Sequence, residues 1–216
     1  MHLFPPDHSG SGVIKSGTPG VLAGMEVAFE VFHKIDPSIA TQELIRDGSK
    51  IEAGQELAHV EGNIIGILKA ERTALNFLQR MSGIATATSQ YIENVVGLKA
   101  KILDTRKTIP GWRKLDKYAV RTGGGQNHRM DLADGVLIKD NHVTIMKSLG
   151  LTVADIVRLA LKQAAPTIKV EIEVETFEEA QEALEAAAPI ILLDNMSLEE
   201  MQRVVQMVNG RALLEA

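Results

Sequence analysis

"IKVEIEVETFEEAQEALEAAAPIILLDN", residues 168–195, changes its hydrophobic period twice. Val170, Ile172 and Val174 alternate with Glu171, Glu173 and Glu175, the period-2 pattern of a strand with one apolar face. From Thr176 the spacing becomes helical, with a threonine where an N-cap belongs and acids in the first turn. A short apolar run, Ile190 to Leu193, then ends in Asp194 and Asn195. Two strands joined by one helix through connections this short are predicted to lie parallel in one sheet.

The same unit recurs outward in both directions. Upstream stand strand "AKILDT", helix "WRKLDKYAVRT", strand "GVLIKD" and helix "TVADIVRLALKQAA"; downstream stand helix "SLEEMQRVVQMV", capped by Ser197, and strand "ALLEA". Repeated β then α predicts an α/β domain, built either as a barrel or as an open doubly wound sheet. Before Gly97 the pattern differs. Residues 20–65 are short apolar runs punctuated by "DG" and "AG", a small α+β region. From Ile64 a long helical pattern runs through Leu75, Leu78, Ala85 and Ile92, with Gly83 as a point of bending or division. The predicted division is therefore 1–97 and 98–216.

Ionisable residues end four successive predicted strands. Asp104, Thr105, Arg106 and Lys107 follow the first, Lys139 and Asp140 the second; Glu173 and Glu175 lie in the third, and Asp194 follows the fourth. In parallel α/β architectures active sites form at that carboxyl edge, so these groups are expected to converge. Carboxylates turned away from the helices need a cation beside them, from Lys139, Arg106 or Lys107, or a divalent metal held by Glu173 and Asp194.

Composition narrows the partner. The 216 residues carry a net charge of −5, yet residues 101–142 hold nine Lys/Arg against five Asp. A basic segment in an acidic protein with only 4% aromatic residues points to an anionic small ligand and away from nucleic acid. There is no cysteine, hence no disulfide framework or thiolate nucleophile. "MHLFPPDHSGSG" has neither the basic flank nor the apolar core of a leader, and no apolar run reaches membrane-spanning length. A cytoplasmic protein is expected.

The triple glycine at 123–125 invites comparison with a phosphate-binding loop, but "GGGQNHR" lacks the Lys-Ser/Thr that such a loop requires. A helix C-cap after "YAVRT" accounts for Gly123. The turn beyond it is expected to deliver His128 and Arg129 to the site, whereas His142 has no metal-spaced partner. Lys139 has two chemical readings, a Schiff-base lysine or a protonated clamp for an anion; the carboxylates around it favour the clamp. Arg72, in the first turns of the long helix, is read from the residues alone as solvated.

In order and spacing, "AERTALNFLQRMSGIAT", "LDTRKTIPGWRKLDKYAV", "GGGQNHRMDLADGVLIKDNH", "VEIEVE" and "ILLDN" resemble the quinolinate phosphoribosyltransferase family, the nicotinate-nucleotide pyrophosphorylases of NAD biosynthesis. The resemblance runs from about Gly20 to the C-terminus. It implies an N-terminal α/β sandwich domain, an incomplete parallel α/β barrel and a homodimer. Carried over by position, Arg106, Lys107, His128, Arg129 and Lys139 would bind quinolinate's two carboxylates, with the Thr105 backbone beside them. Arg72 would reach across the dimer interface into the partner's pocket. Glu173 and Asp194 would hold the ribose hydroxyls and Mg²⁺ of phosphoribosyl pyrophosphate, with Asp140 in support.

The family pattern continues after "ALLEA" with a glycine-bearing turn and further βα units that bind the 5′-phosphate. The chain is accordingly expected to be a partial one that binds quinolinate better than it turns it over. Three alternatives stand beside this reading. One is a paralogue of the same fold, acting on nicotinate or belonging to molybdate-transport operons. The second is a Schiff-base aldolase using Lys139. The third is a lipoyl-like carrier, suggested by "DGSKIEAGQELAHVEG" with Lys50.

Overall fold

The computed structural model describes residue 5 and residues 8–216. Residues 1–4 and 6–7, part of the stretch read against a leader, lie outside the described residues. The chain forms two compact units, 1–130 and 131–216.

In the first unit, β1 (Ser9–Lys15), β5 (Glu56–Asn63) and β3 (Ala40–Glu43) make an antiparallel sheet of order β1-β5-β3. A second ladder joins β2 (Gly20–Val21) to β4 (Lys50–Ile51). Two helices cover the apolar side of the larger sheet, α1 (Met25–Ile35) and α2 (Ile64–Asn94). Ile14, Leu57 and Val60 from the strands pack in one buried cluster with Met25, Ala28 and Phe32 of α1 and Ile67, Ala70, Ala74 and Leu78 of α2. This is the expected α/β sandwich. Gly24, which has no side chain to cap α1, is compensated by the Asp47 carboxylate, which accepts the N–H groups of Gly24 (2.7 Å) and Met25 (3.2 Å) and the Tyr118 hydroxyl (2.8 Å). Burial, reinforced by that carboxylate, holds the Tyr118 hydroxyl above its ordinary pKa.

α2 corrects one expectation. It runs unbroken for 31 residues through Gly83, which is exposed on its outer side, because Leu78, Met81 and Ala85 on the inner side are buried. A glycine there weakens the helix without ending it.

In the second unit, β6 (Val136–Ile138), β7 (Val170–Val174), β8 (Ile190–Leu193) and β9 (Leu213–Glu215) pair in parallel, in chain order. The helices between them are α4 (Asp140–Ser148), α5 (Val153–Gln163), α6 (Phe177–Glu185) and α7 (Leu198–Val208). Ile138, Val170, Ile172, Val174, Ile191 and Leu193 form one core with Val143 of α4, Val153 and Val157 of α5, Ala180 and Ala183 of α6, and Val204 of α7. All four helices therefore cover the same sheet face, and the strand order never reverses. That is the wall of a parallel barrel, and it excludes the doubly wound alternative, which needs helices on both faces. Thr176 and Ser197 cap α6 and α7 as read, each accepting an N–H from three residues on (3.2 and 3.3 Å).

Two further corrections concern strand and helix count. "AKILDT" forms no strand; its only ladder contact among the described residues is a parallel bridge from Leu103 to Gln126 in the first unit. The parallel sheet thus has four strands, where five were expected. Helix α4, absent from the sequence reading, comes directly after β6.

Candidate active site

In the first unit the site is built around α3 (Arg113–Thr122). Its inner face is fixed to α2. Ala119 packs with Met81 and Ala85, and Arg80 makes a two-pronged pair with buried Asp116, Nε to Oδ1 at 2.9 Å and a terminal nitrogen to Oδ2 at 2.8 Å. The same guanidinium lies 5.1 Å from the centre of the Trp112 ring, which stacks on Phe77.

The helix ends in the triple glycine, and the structure explains each member. A Cβ on Gly123 would stand 2.3 Å from the Ala85 carbonyl oxygen, and one on Gly125 would stand 2.7 Å from Val120 Cγ1. Gly124 takes the left-handed conformation, φ +94°, which closes the helix. The glycines let the chain pass hard against α2.

Beyond them the chain returns alongside residues 102–107. Gln126 donates to the Ile102 carbonyl (2.9 Å), and Asp104 donates to the Gln126 carbonyl (3.1 Å). The Asp104 carboxylate is nearly buried, its side chain 8% exposed, and accepts from three donors: the Lys117 ammonium, the Asn127 amide and the His128 N–H (2.9 Å). Lys117 is 1% exposed and also donates to the His128 carbonyl at 3.2 Å. Two charges this deep are tolerable only because each is satisfied several times over.

Four of the expected basic residues ride on these two segments. Arg106 and Lys107 are on the first, His128 and Arg129 on the second, with Lys107 exposed and the other three half-buried. The Thr105 hydroxyl accepts the Lys107 N–H at 3.1 Å. The Nε of Arg106 is buried with no hydrogen-bond partner among the described residues, which suits a side chain built to meet an anion. Arg72 is exposed on α2.

In the second unit, register decides which residues share a side. Leu137 pairs with Glu171, Glu173 with Leu192, and Leu192 with Glu215. Counting in twos along each strand, Lys139, Glu173 and Asp194 stand at the carboxyl edge on the face away from the helices. Glu171 shares that face and is buried, as the alternation in 170–175 implied. Glu173 Oε2 accepts the Asp140 N–H at 3.4 Å, which sets it at the N-terminus of α4. Asp194 continues the ladder by donating to the Val174 carbonyl (2.9 Å). Its Oδ2 meets the Asn195 amide at 3.3 Å, and Asn195 itself is left-handed, φ +53°. His142 is an exposed structural residue whose Nδ1 accepts the Lys139 N–H at 2.9 Å.

Sequence reasoning missed Arg113, Lys117 and Asn127. In "GWRKLDKYAV" the three cations look alike, and only the identity of the neighbouring segments distinguishes a buried lysine from a solvated one.

Comparison with known proteins decides the family. The model of the quinolinate phosphoribosyl transferase C-terminal domain matches residues 84–216, and that of the N-terminal domain matches residues 1–82. The chain belongs to the quinolinate phosphoribosyl transferase family. Within it, the chain is 45% identical over 196 residues to the nicotinate-nucleotide pyrophosphorylase (carboxylating) of Mycobacterium leprae, covering 90% of itself and 67% of that relative. It is 40% identical to a quinolinate phosphoribosyltransferase (decarboxylating) of Nicotiana glauca, covering 91% of itself and 60% of that protein. The crystal structure of NadC from Streptococcus pyogenes superposes with a TM-score of 0.89 at 37% identity, covering 98% of this chain and 74% of that one. The chain thus spans 67% and 60% of the length of these two curated relatives. None of its described helices is long and apolar enough to cross a membrane.

Proposed function

We propose that the chain carries the quinolinate-binding and ribose-binding machinery of a decarboxylating phosphoribosyltransferase of NAD biosynthesis. The observation that carries this reading is the separation of charge by element. Cations stand on two segments bridged through Asp104, and carboxylates share one face of the parallel sheet.

Quinolinate is a dianion with adjacent carboxylates, and Arg106, Lys107, His128 and Arg129 supply the charge and the planar forks that bind such groups. Lys139 is exposed and stands beside Glu173 at the sheet edge, outside the apolar pocket that Schiff-base chemistry needs. We assign it as a clamp on substrate charge. The pyridine nitrogen attacks C1 of phosphoribosyl pyrophosphate as the C1–oxygen bond to pyrophosphate breaks. Positive charge gathers on the ribose ring in the transition state, where the Glu173 carboxylate stabilises it. The C–C bond to the carboxylate beside the ring nitrogen then breaks, releasing CO₂; the electron pair left on carbon takes a proton to give nicotinate mononucleotide.

Glu173 and Asp194 offer hard oxygens from neighbouring strands on one face, a donor set that suits Mg²⁺ held jointly with substrate phosphates. When bound, that ion would neutralise charge on the departing pyrophosphate. Asp140 supports Glu173 through its N–H. We further propose a cytoplasmic homodimer in which exposed Arg72 serves the partner's site, and a functional division near 97/98. The carrier reading loses its support, since Lys50 lies in the β2–β4 ladder and pairs with Glu93 at 3.0 Å.

The test supplies the purified chain with phosphoribosyl pyrophosphate, Mg²⁺ and quinolinate labelled in the carboxylate beside the nitrogen. Labelled CO₂ released with matching pyrophosphate, however slowly, supports the assignment. Consumption of nicotinate instead, without CO₂, overturns it in favour of a nicotinate-specific paralogue.

A further inference from the structure

The residues assigned to the anion sit on two separate segments, and α3 holds both of them. Arg113 and Lys117 are one turn apart, on the same side of the helix. Arg113 donates from Nε to the Thr108 hydroxyl (3.2 Å) and from its terminal nitrogens to the carbonyls of Arg106 (3.4 Å) and Met130 (3.2 Å). Lys117 donates to the Asp104 carboxylate and to the His128 carbonyl (3.2 Å). Each cation therefore has one hand on residues 104–108 and the other on residues 128–130. An adjoining side of the helix is fixed to α2 by Arg80–Asp116, and its C-terminal end by the approach of Gly123 to Ala85.

We infer that Arg113 and Lys117 are positioning residues that set the gap between Arg106 and the His128–Arg129 pair, and with it the preference for a ligand bearing two adjacent carboxylates. This rests on the function proposed above. Neither residue needs to touch substrate; they act through backbone carbonyls, the Thr108 hydroxyl and Asp104. A guanidinium suits 113 because its wide planar fork sends Nε and both terminal nitrogens to separate acceptors on two segments, whereas a lysine would offer only a single compact ammonium at the end of a flexible stem.

The experiment compares Arg113→Ala and Arg113→Lys with the parent in the full chain, measuring dissociation constants for quinolinate, nicotinate and phosphoribosyl pyrophosphate. The expected result for Arg113→Ala is quinolinate binding weakened about 10- to 100-fold, the scale of a misplaced contact. Nicotinate and phosphoribosyl pyrophosphate should each change less than about threefold, so the preference for quinolinate collapses. Arg113→Lys should recover little of it. A merely structural role would lower the folded fraction and leave the quinolinate-to-nicotinate ratio intact, and that outcome overturns the inference. Should the parent itself bind no quinolinate, the proposed function fails separately, and amide hydrogen exchange decides this point. Exchange at residues 105–109 and 126–130 must then quicken in Arg113→Ala while α1 is unchanged; equal exchange in both proteins overturns it.

Discussion

Replacing Gly123 by alanine adds one methyl group at a place where the structure has no room for it. The new Cβ would stand 2.3 Å from the Ala85 carbonyl oxygen and 2.8 Å from Thr88 Cβ, against ordinary contacts of 3.4–4 Å. The obstacle is the backbone of a fully buried residue in α2, so no side-chain rotation relieves it. One helix must move by about an ångström, or the end of α3 must unwind. Overpacking of this kind costs about 1–3 kcal/mol and occasionally more, and a backbone obstacle puts Gly123→Ala at the upper end. At about 2–4 °C per kcal/mol for a chain of this size, melting should fall by about 6–12 °C. Gly83→Ala is the internal control. It lies in α2 with nothing within 4 Å of the added Cβ, and a gain of about 0.5–1 kcal/mol is expected from helix propensity alone. Calorimetric or fluorescence melts of parent and both variants separate the two effects. A Gly123→Ala protein melting within about 2 °C of the parent would refute the close-packing account of the triple glycine.

Three more outcomes are expected from the same geometry. Lys117→Met should cost about 3–5 kcal/mol, the scale for stranding a buried charge, because Asp104 keeps its carboxylate and loses the Lys117 ammonium; a urea midpoint near the parent's would contradict the buried pair. Asp194→Asn should reduce turnover about 100-fold or more while quinolinate affinity, read by calorimetry, stays within about threefold; equal loss of both would place Asp194 in the wrong half of the chemistry. Burial alone would raise the Glu179 carboxyl, but Lys147 at 2.5 Å and the N–H groups of Glu175 and Thr176's turn outweigh it, so its folded pKa lies below the ordinary value. A depressed carboxyl stabilises above its unfolded pKa of about 4.3 and loses that contribution as pH falls through the folded value. The stability difference between parent and Lys147→Met should accordingly be about 0.5–1 kcal/mol at neutral pH and shrink below about pH 4; a difference that grows on acidification contradicts the sign.

Much of the second unit is legible in the sequence because its signals are local. The period-2 run at 170–175 and the caps at Thr176 and Ser197 act within a few residues of themselves, and register is then set by which face is apolar. Helix α4 escapes because "DNHVTIMKS" combines β-branched residues of weak helix propensity with a single buried side chain, Val143. "AKILDT" misleads for the opposite reason. Its alternation is that of a strand, but whether a neighbour runs beside it is a tertiary fact, and among the described residues only Gln126 bridges to it. In the candidate site, Arg106, Lys107, Lys139, Glu173 and Asp194 are visible because each stands in or directly after an apolar run, at the carboxyl end of a predicted strand. Arg113 and Lys117 are not, since their partners are backbone carbonyls, the Thr108 hydroxyl and an aspartate, all more than one helix turn away in sequence.

The central claim is that the cations of residues 105–129 recognise a ligand with two adjacent carboxylates, and equilibrium titration of the full chain with quinolinate and with nicotinate tests it most directly. A charge-assisted hydrogen bond contributes about 1.5–3 kcal/mol, so losing one carboxylate should weaken binding about tenfold or more. The expected result is saturable quinolinate binding, weaker nicotinate binding by that margin, and loss of the margin in Arg106→Ala. Equal affinity for the two ligands, or an Arg106→Ala variant that discriminates as well as its parent, would contradict the account.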